Sequence, residues 1–142
     1  MRIAVMAAGG VGGYFGARLA AAGEEVHFLA RGAHLAALRE HGLTLESANG
    51  GLHLQPVRAT DDAGTIGPVD VVLFAVKLWD TEAAAAAVRP LVGPDTAVIS
   101  FQNGVDSAGR IAAVLGPRHV MGGVAYIGST IAAPGVIKHT GT

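Results

Sequence analysis

The chain has 142 residues, 51% of them hydrophobic and 15% charged, with a formal net charge of −1 and no cysteine. That length suits one domain, residues 1–142, burying roughly 68% of the surface its unfolded form exposes, and a chain so apolar and weakly charged is not intrinsically disordered. No lysine or arginine run offers a footprint for nucleic acid or an acidic membrane. The missing cysteines exclude disulfides, thiolate chemistry and cysteine-based zinc sites, which favours a reducing, cytoplasmic setting.

In chain order, Arg2 to Met6 is a short apolar strand, followed by a glycine cluster and a helix from about Val11 to Ala22 that Gly23 closes. The stretch from Ile3 to Ala22 has the apolarity of an export signal, but five glycines and Arg18 interrupt it. No uncharged apolar run is long enough to span a bilayer. Glu25 to Ala30 predicts a second strand and Gly32 to His41 a surface helix. Leu43 to Ser47 and Leu52 to Ala59 flank Asn49, Gly50 and Gly51, a turn signal that predicts a small hairpin beside the main sheet.

Val69 to Val76 is the nearly continuous apolar run of a parallel strand buried on both faces, and Lys77 ends it. A helix is predicted from about Asp80 to Val92, its alanine run 83–87 explained by helix propensity alone. Thr96 to Phe101 predicts a strand, Asn103 and Gly104 a turn, and Val105 to Leu115 a helix ended by Gly116 and Pro117. His119 to His139 predicts one central strand and then a hairpin around Pro134 and Gly135. The alternation implies an α/β fold of the doubly wound Rossmann type, a mostly parallel sheet with helices on both faces. Ligands of such sheets collect at the carboxyl ends of the strands, which puts residues 7–12, Arg31, Lys77 and Asn103 on one rim.

Ala7, Ala8, Gly9, Gly10, Val11 and Gly12 occupy the place of a G-x-G-x-x-G fingerprint, with alanine at its first glycine. Gly9 lets a pyrophosphate approach the backbone, Gly12 lets the helix pack on the strand, and the helix N-terminus offers free N–H groups. If the backbone at Ala7 needs positive φ, alanine costs about 1–2 kcal/mol there, roughly tenfold in cofactor affinity. Where an NAD-binding domain usually places an acid at the end of the second strand, this chain has Arg31, whose guanidinium can grip the 2′-phosphate of NADP or stay solvated in a loop. Lys77 can meet the cofactor or a substrate carboxylate, or snorkel to water from a strand end. Asn103 can donate to the nicotinamide region or serve its turn. The six histidines have no metal-site spacing, and no nucleophile elbow, Walker loop or carboxylate pair supports hydrolase or kinase chemistry.

Four stretches together resemble the ketopantoate reductases (2-dehydropantoate 2-reductases) over the whole chain: MRIAVMAAGGVGGYFGARLAAAGEEVHFLARG, AVKLWDT, FQNGVD and GGVAYIGSTIAAPGVIKHTG. The resemblance implies reduction of a 2-oxo acid, 2-dehydropantoate, to pantoate with NADPH in pantothenate biosynthesis. It further implies that residues 7–12 cradle the pyrophosphate and Arg31 meets the 2′-phosphate. Lys77 and Asn103 are then cofactor and substrate contacts, and Gly128 a backbone contact. Family members continue into a mainly helical C-terminal domain that carries the catalytic lysine, so the expectation is that this chain is the cofactor-binding domain, incomplete for catalysis. The other expectation is a non-catalytic NADP-binding module, a truncated paralogue acting with a partner. A cofactor domain without its covering domain is also expected to expose an apolar face through which it can form a homodimer.

Overall fold

The residues of β1 (Arg2–Met6) alternate between two cores, Ile3 and Val5 facing one and Ala4 the other, because the strand is covered on both sides. The computed structural model describes residues 1–76, 81–101, 107–123 and 128–140. After β1 come α1 (Gly10–Ala21), β2 (Glu25–Leu29), α2 (Gly32–His41), β3 (Leu43–Ser47), β4 (Leu52–Leu54), β5 (Arg58–Thr60) and β6 (Val69–Phe74). The chain continues through α3 (Thr81–Ala87), β7 (Val92–Ser100), α4 (Ser107–Leu115), β8 (Val120–Gly122), β9 (Ser129–Ala133) and β10 (Val136–His139).

Six strands form a sheet of order β5-β2-β1-β6-β7-β8 in which every neighbouring pair is parallel. Counted within the sheet, this is the order 3-2-1-4-5-6 of a doubly wound dinucleotide-binding fold. One face packs Val72, Phe74 and Val98 on α3 and α4 through Ala84, Ala85 and Ile111, with Val88 just past the end of α3. The other packs Val5, Val26 and Phe28 on α1 and α2 through Ala17 and Leu38. Both faces are helix-covered, as predicted.

Four elements differ from expectation. The segment 52–59 is not one strand, because Pro56 has no N–H for a ladder; β4 stops at Leu54 and β5 starts at Arg58, pairing with β2 in the main sheet. The predicted helix 80–92 ends at Ala87, since Pro90 cannot extend an α-helical ladder, and Arg89–Leu91 form a 3₁₀ turn instead. Strand β7 therefore begins at Val92, four residues before the predicted start. Its pairing with β6 slips between Val69 and Val71, and Thr96 fills the gap: its buried hydroxyl accepts from the Gly93 N–H at 2.8 Å and donates to the Val69 carbonyl at 2.6 Å. Finally, β8 lies at the sheet edge rather than centrally.

The hairpin β3–β4 is not an isolated insertion. Its strand β3 pairs in parallel with β10 of the C-terminal hairpin, giving a second sheet of order β4-β3-β10-β9. Leu43, Leu45 and Ile137 of that sheet join the α1 core.

Candidate functional site

The carboxyl ends of β1, β2, β5 and β6 open onto one cleft of about 1150 Å³. That exceeds the roughly 300–1,000 Å³ of ordinary small-molecule pockets and suits a long ligand. Met6, Ala7, Gly9, Gly10 and Val11 form its floor; Leu29, Ala30 and Arg31 one end, beside Asp61, Asp62 and Ala63. Ala75, Val76, Ala83, Ala84 and Ala87 line it from the end of β6 and from α3, and Ser129, Thr130 and Ile131 from β9.

The glycines at the start of α1 divide by what constrains them. A Cβ on Gly10 would overlap the Ser129 carbonyl oxygen, and one on Gly12 would overlap the Ala7 carbonyl oxygen and lie 2.8 Å from Val5 Cγ1. At Gly13 it would lie 2.8 Å from Ile137 Cγ1 and at Gly16 2.5 Å from Phe28 Cε1. These four let the helix sit close on the sheet and on β9 and β10. Gly9 is different: a Cβ there would meet nothing nearer than Ile131 Cδ1 at 4.0 Å, and its φ of −84° suits any residue. Protein packing does not require glycine at position 9.

Electrostatically, the start of α1 is arranged for an anion. The first N–H groups of a helix have no partner inside the helix; no side chain caps α1 and its first turn has no acidic residue. The only intrahelical compensation begins with Gly13, whose N–H donates to Gly9 O at 2.7 Å. Arg31, exposed, is the N-cap residue of α2 in extended backbone, and among the described residues its guanidinium has no hydrogen-bond or ion-pair partner. The acids nearby differ: Asp62 Oδ1 accepts from the Gly64 N–H at 2.9 Å, while Asp61 is exposed at the rim.

Of the residues singled out in the sequence, Ala7, Gly9, Gly10, Val11 and Arg31 line the cleft together. Ala8 is buried beneath it, its N–H donating to Leu29 O at 2.9 Å, and Gly12 is buried against β1. No non-glycine among the described residues has positive φ, so alanine at position 7 meets no left-handed strain. Gly128 uses its carbonyl to accept from the Thr140 N–H at 2.8 Å, and it is the next residue, Ser129, that lines the cleft. Lys77 and Asn103 lie outside the described residues.

Sequence reasoning missed Ser129, Thr130 and Ile131, although the hairpin that carries them was legible around Pro134 and Gly135. It also missed Asp61, because the break at Pro56 hid the strand that delivers it. Ala83 and Ala87, one helical turn apart, contribute to the wall, so the alanine run has a use beyond propensity.

The comparisons with known proteins agree with this geometry. The family described as ketopantoate reductase PanE/ApbA matches residues 3–142. A 2-dehydropantoate 2-reductase of Mesorhizobium japonicum is 36% identical over 98% of this chain and 49% of its own. Two solved structures superpose closely. The PanE/ApbA family ketopantoate reductase from Ralstonia eutropha has a TM-score of 0.93 at 38% identity, covering 99% of this chain and 47% of that one. The 2-dehydropantoate 2-reductase from Geobacter metallireducens has a TM-score of 0.95 at 36% identity, covering 100% and 47%. The chain thus spans about half the length of the curated relatives it matches. No helix among the described residues is long and apolar enough to cross a membrane. By fold, cleft and sequence the chain belongs to the ketopantoate reductase family.

Proposed function

We propose that the cleft holds NADPH and that this chain is the cofactor-binding domain of a reductase converting 2-dehydropantoate to pantoate. The observation that carries the reading is the pairing, in one cleft, of an uncapped helix start at Gly9 with a guanidinium at Arg31 that has no partner among the described residues. Gly9 and the N–H groups of the first turn of α1 would hold the pyrophosphate, since backbone donors and the helix dipole favour an anion there. Arg31 would hold the 2′-phosphate through charge-assisted hydrogen bonds. The alanines of α3 and Ile131 exclude water along the sides. Lys77, directly after the lining residue Val76, and Asn103 are proposed as cofactor and substrate contacts on their sequence positions, and Gly128 as a backbone contact beside Ser129. When bound, NADPH supplies the hydride. Because the relatives are about twice as long, the reduction is proposed for a protein of their length and cofactor binding for this chain.

Titration with NADPH and NADH tests the reading. NADPH should bind at least about tenfold tighter, ~1.4 kcal/mol. Equal affinities would remove the role of Arg31, and binding of neither would remove the cleft reading. A family-length protein that binds NADPH yet leaves 2-dehydropantoate unreduced would be a non-catalytic module instead.

A further inference from the structure

His34 joins two backbones that are remote in the chain. Its Nε2 lies 2.6 Å from the Ala8 carbonyl oxygen, and its Nδ1 lies 2.9 Å from the Gly135 backbone nitrogen. A carbonyl can only accept and a peptide N–H can only donate, so the ring is neutral, with its proton on Nε2 and its lone pair on Nδ1. Both ring nitrogens are occupied by backbone.

Neither partner lines the cleft, but each belongs to a segment that does. Ala8 lies inside the glycine loop, with its N–H already bound to Leu29 O. Gly135 is the turn of the β9–β10 hairpin; its carbonyl accepts from the Thr44 N–H at 2.9 Å, which ties the turn to β3. The same hairpin carries Ser129, whose hydroxyl bonds to Gly10 O. His34 itself stands in the first turn of α2, three residues after Arg31.

We infer that His34 is a positioning residue for dinucleotide binding: its imidazole holds the first turn of α2, and with it the backbone of Arg31, against the phosphate loop at Ala8–Gly10. The inference rests on the proposed NADPH reading. It adds a specificity role for a side chain that is not among the residues lining the cleft. Without the bridge, the glycine loop stays tied to the end of β2 by the bond from the Ala8 N–H to Leu29 O, but the first turn of α2 is no longer held against it, and the two phosphate-binding regions of the cleft lose their fixed relation. A ligand with phosphates at both ends then suffers more than one with phosphates at a single end.

The test compares His34→Gln and His34→Leu. Glutamine can place an amide oxygen and an amide N–H roughly where Nδ1 and Nε2 lie, whereas leucine keeps bulk and loses both bonds. Affinities for NADPH and NADH are measured well below each variant's melting midpoint, with circular dichroism as the folding control. His34→Leu should weaken NADPH by at least about tenfold, ~1.4 kcal/mol, should weaken NADH less, and His34→Gln should recover most of the loss. An equal loss for both cofactors, or a leucine variant that binds both as the wild type does, overturns the inference. If the wild type binds neither dinucleotide, it is the NADPH reading that fails. Nitrogen-15 NMR of His34 separates the cases: a ring with Nε2 protonated and Nδ1 accepting is expected in the ligand-free protein, and the opposite tautomer or a charged ring overturns the bridge itself.

Discussion

The hydroxyl of Ser129 donates a hydrogen bond of 2.8 Å to the carbonyl oxygen of Gly10, joining residues 119 positions apart. The Ser129 backbone also occupies the space that a side chain on Gly10 would need. The strand β9 therefore braces the first turn of α1 by both contact and hydrogen bond. Ser129→Ala should destabilise the fold by about 0.5–1.5 kcal/mol, the net worth of one such bond, and should weaken dinucleotide binding several-fold. Chemical denaturation and a fluorescence titration measure the two effects. Unchanged values in both would mean the brace carries no weight.

Gly9 and Gly12 should fail in different ways. Gly9→Ala adds a methyl group to open space at an ordinary φ, so stability should stay the same or rise by up to about 1 kcal/mol, while NADPH affinity falls at least about tenfold. Gly12→Ala drives a methyl group into the Ala7 carbonyl and Val5, and overpacking of that kind costs about 1–3 kcal/mol. Melting curves and cofactor titrations on the two variants check the contrast. If Gly9→Ala binds NADPH normally, the pyrophosphate does not lie against that residue.

Arg31→Ala should separate the two cofactors. Hydrogen bonds to a charged group are worth about 1.5–3 kcal/mol, so NADPH affinity should fall about 10- to 150-fold while NADH affinity stays within about twofold. Because the guanidinium is exposed, added salt should weaken NADPH binding more than NADH binding in the wild type. A uniform loss for both cofactors would indicate damage to the fold rather than a lost phosphate contact.

At the opposite end of the sheet, Glu25 accepts from Arg2 Nε at 2.6 Å and meets His27 Nε2 at 2.8 Å. The Arg2 hydrogen bond, followed by that from His27, holds its carboxyl down from 4.5 to about 2. A depressed carboxylate stabilises the fold above its ordinary value, and this contribution is lost as pH falls from about 4.5 to about 2. Carboxyl NMR titration should therefore give Glu25 a midpoint near 2, and Arg2→Met should move it upward. A midpoint that does not move would place the cause elsewhere.

The amino-acid sequence by itself determined the βαβ unit from Arg2 to Leu29, the helix Gly32–His41, the glycine cluster at the first strand end and Arg31 at the second. Each of these is encoded locally: runs of apolar residues, glycines that close helices, and residue types at strand ends. Only the tertiary structure decided that two hairpins, far apart in the chain, would pair through β3 and β10 into a second sheet. That pairing brings Ser129 onto Gly10 and Gly135 onto His34, and it turns His34 from one of six unremarkable histidines into a bridge. Periodicity reports which face of a segment is buried, but the partner and its register depend on shape and on backbone hydrogen bonds across the whole fold. Gly9 shows the same division: the fingerprint assigns it to the pyrophosphate, and only the packing shows that the protein itself does not require glycine there.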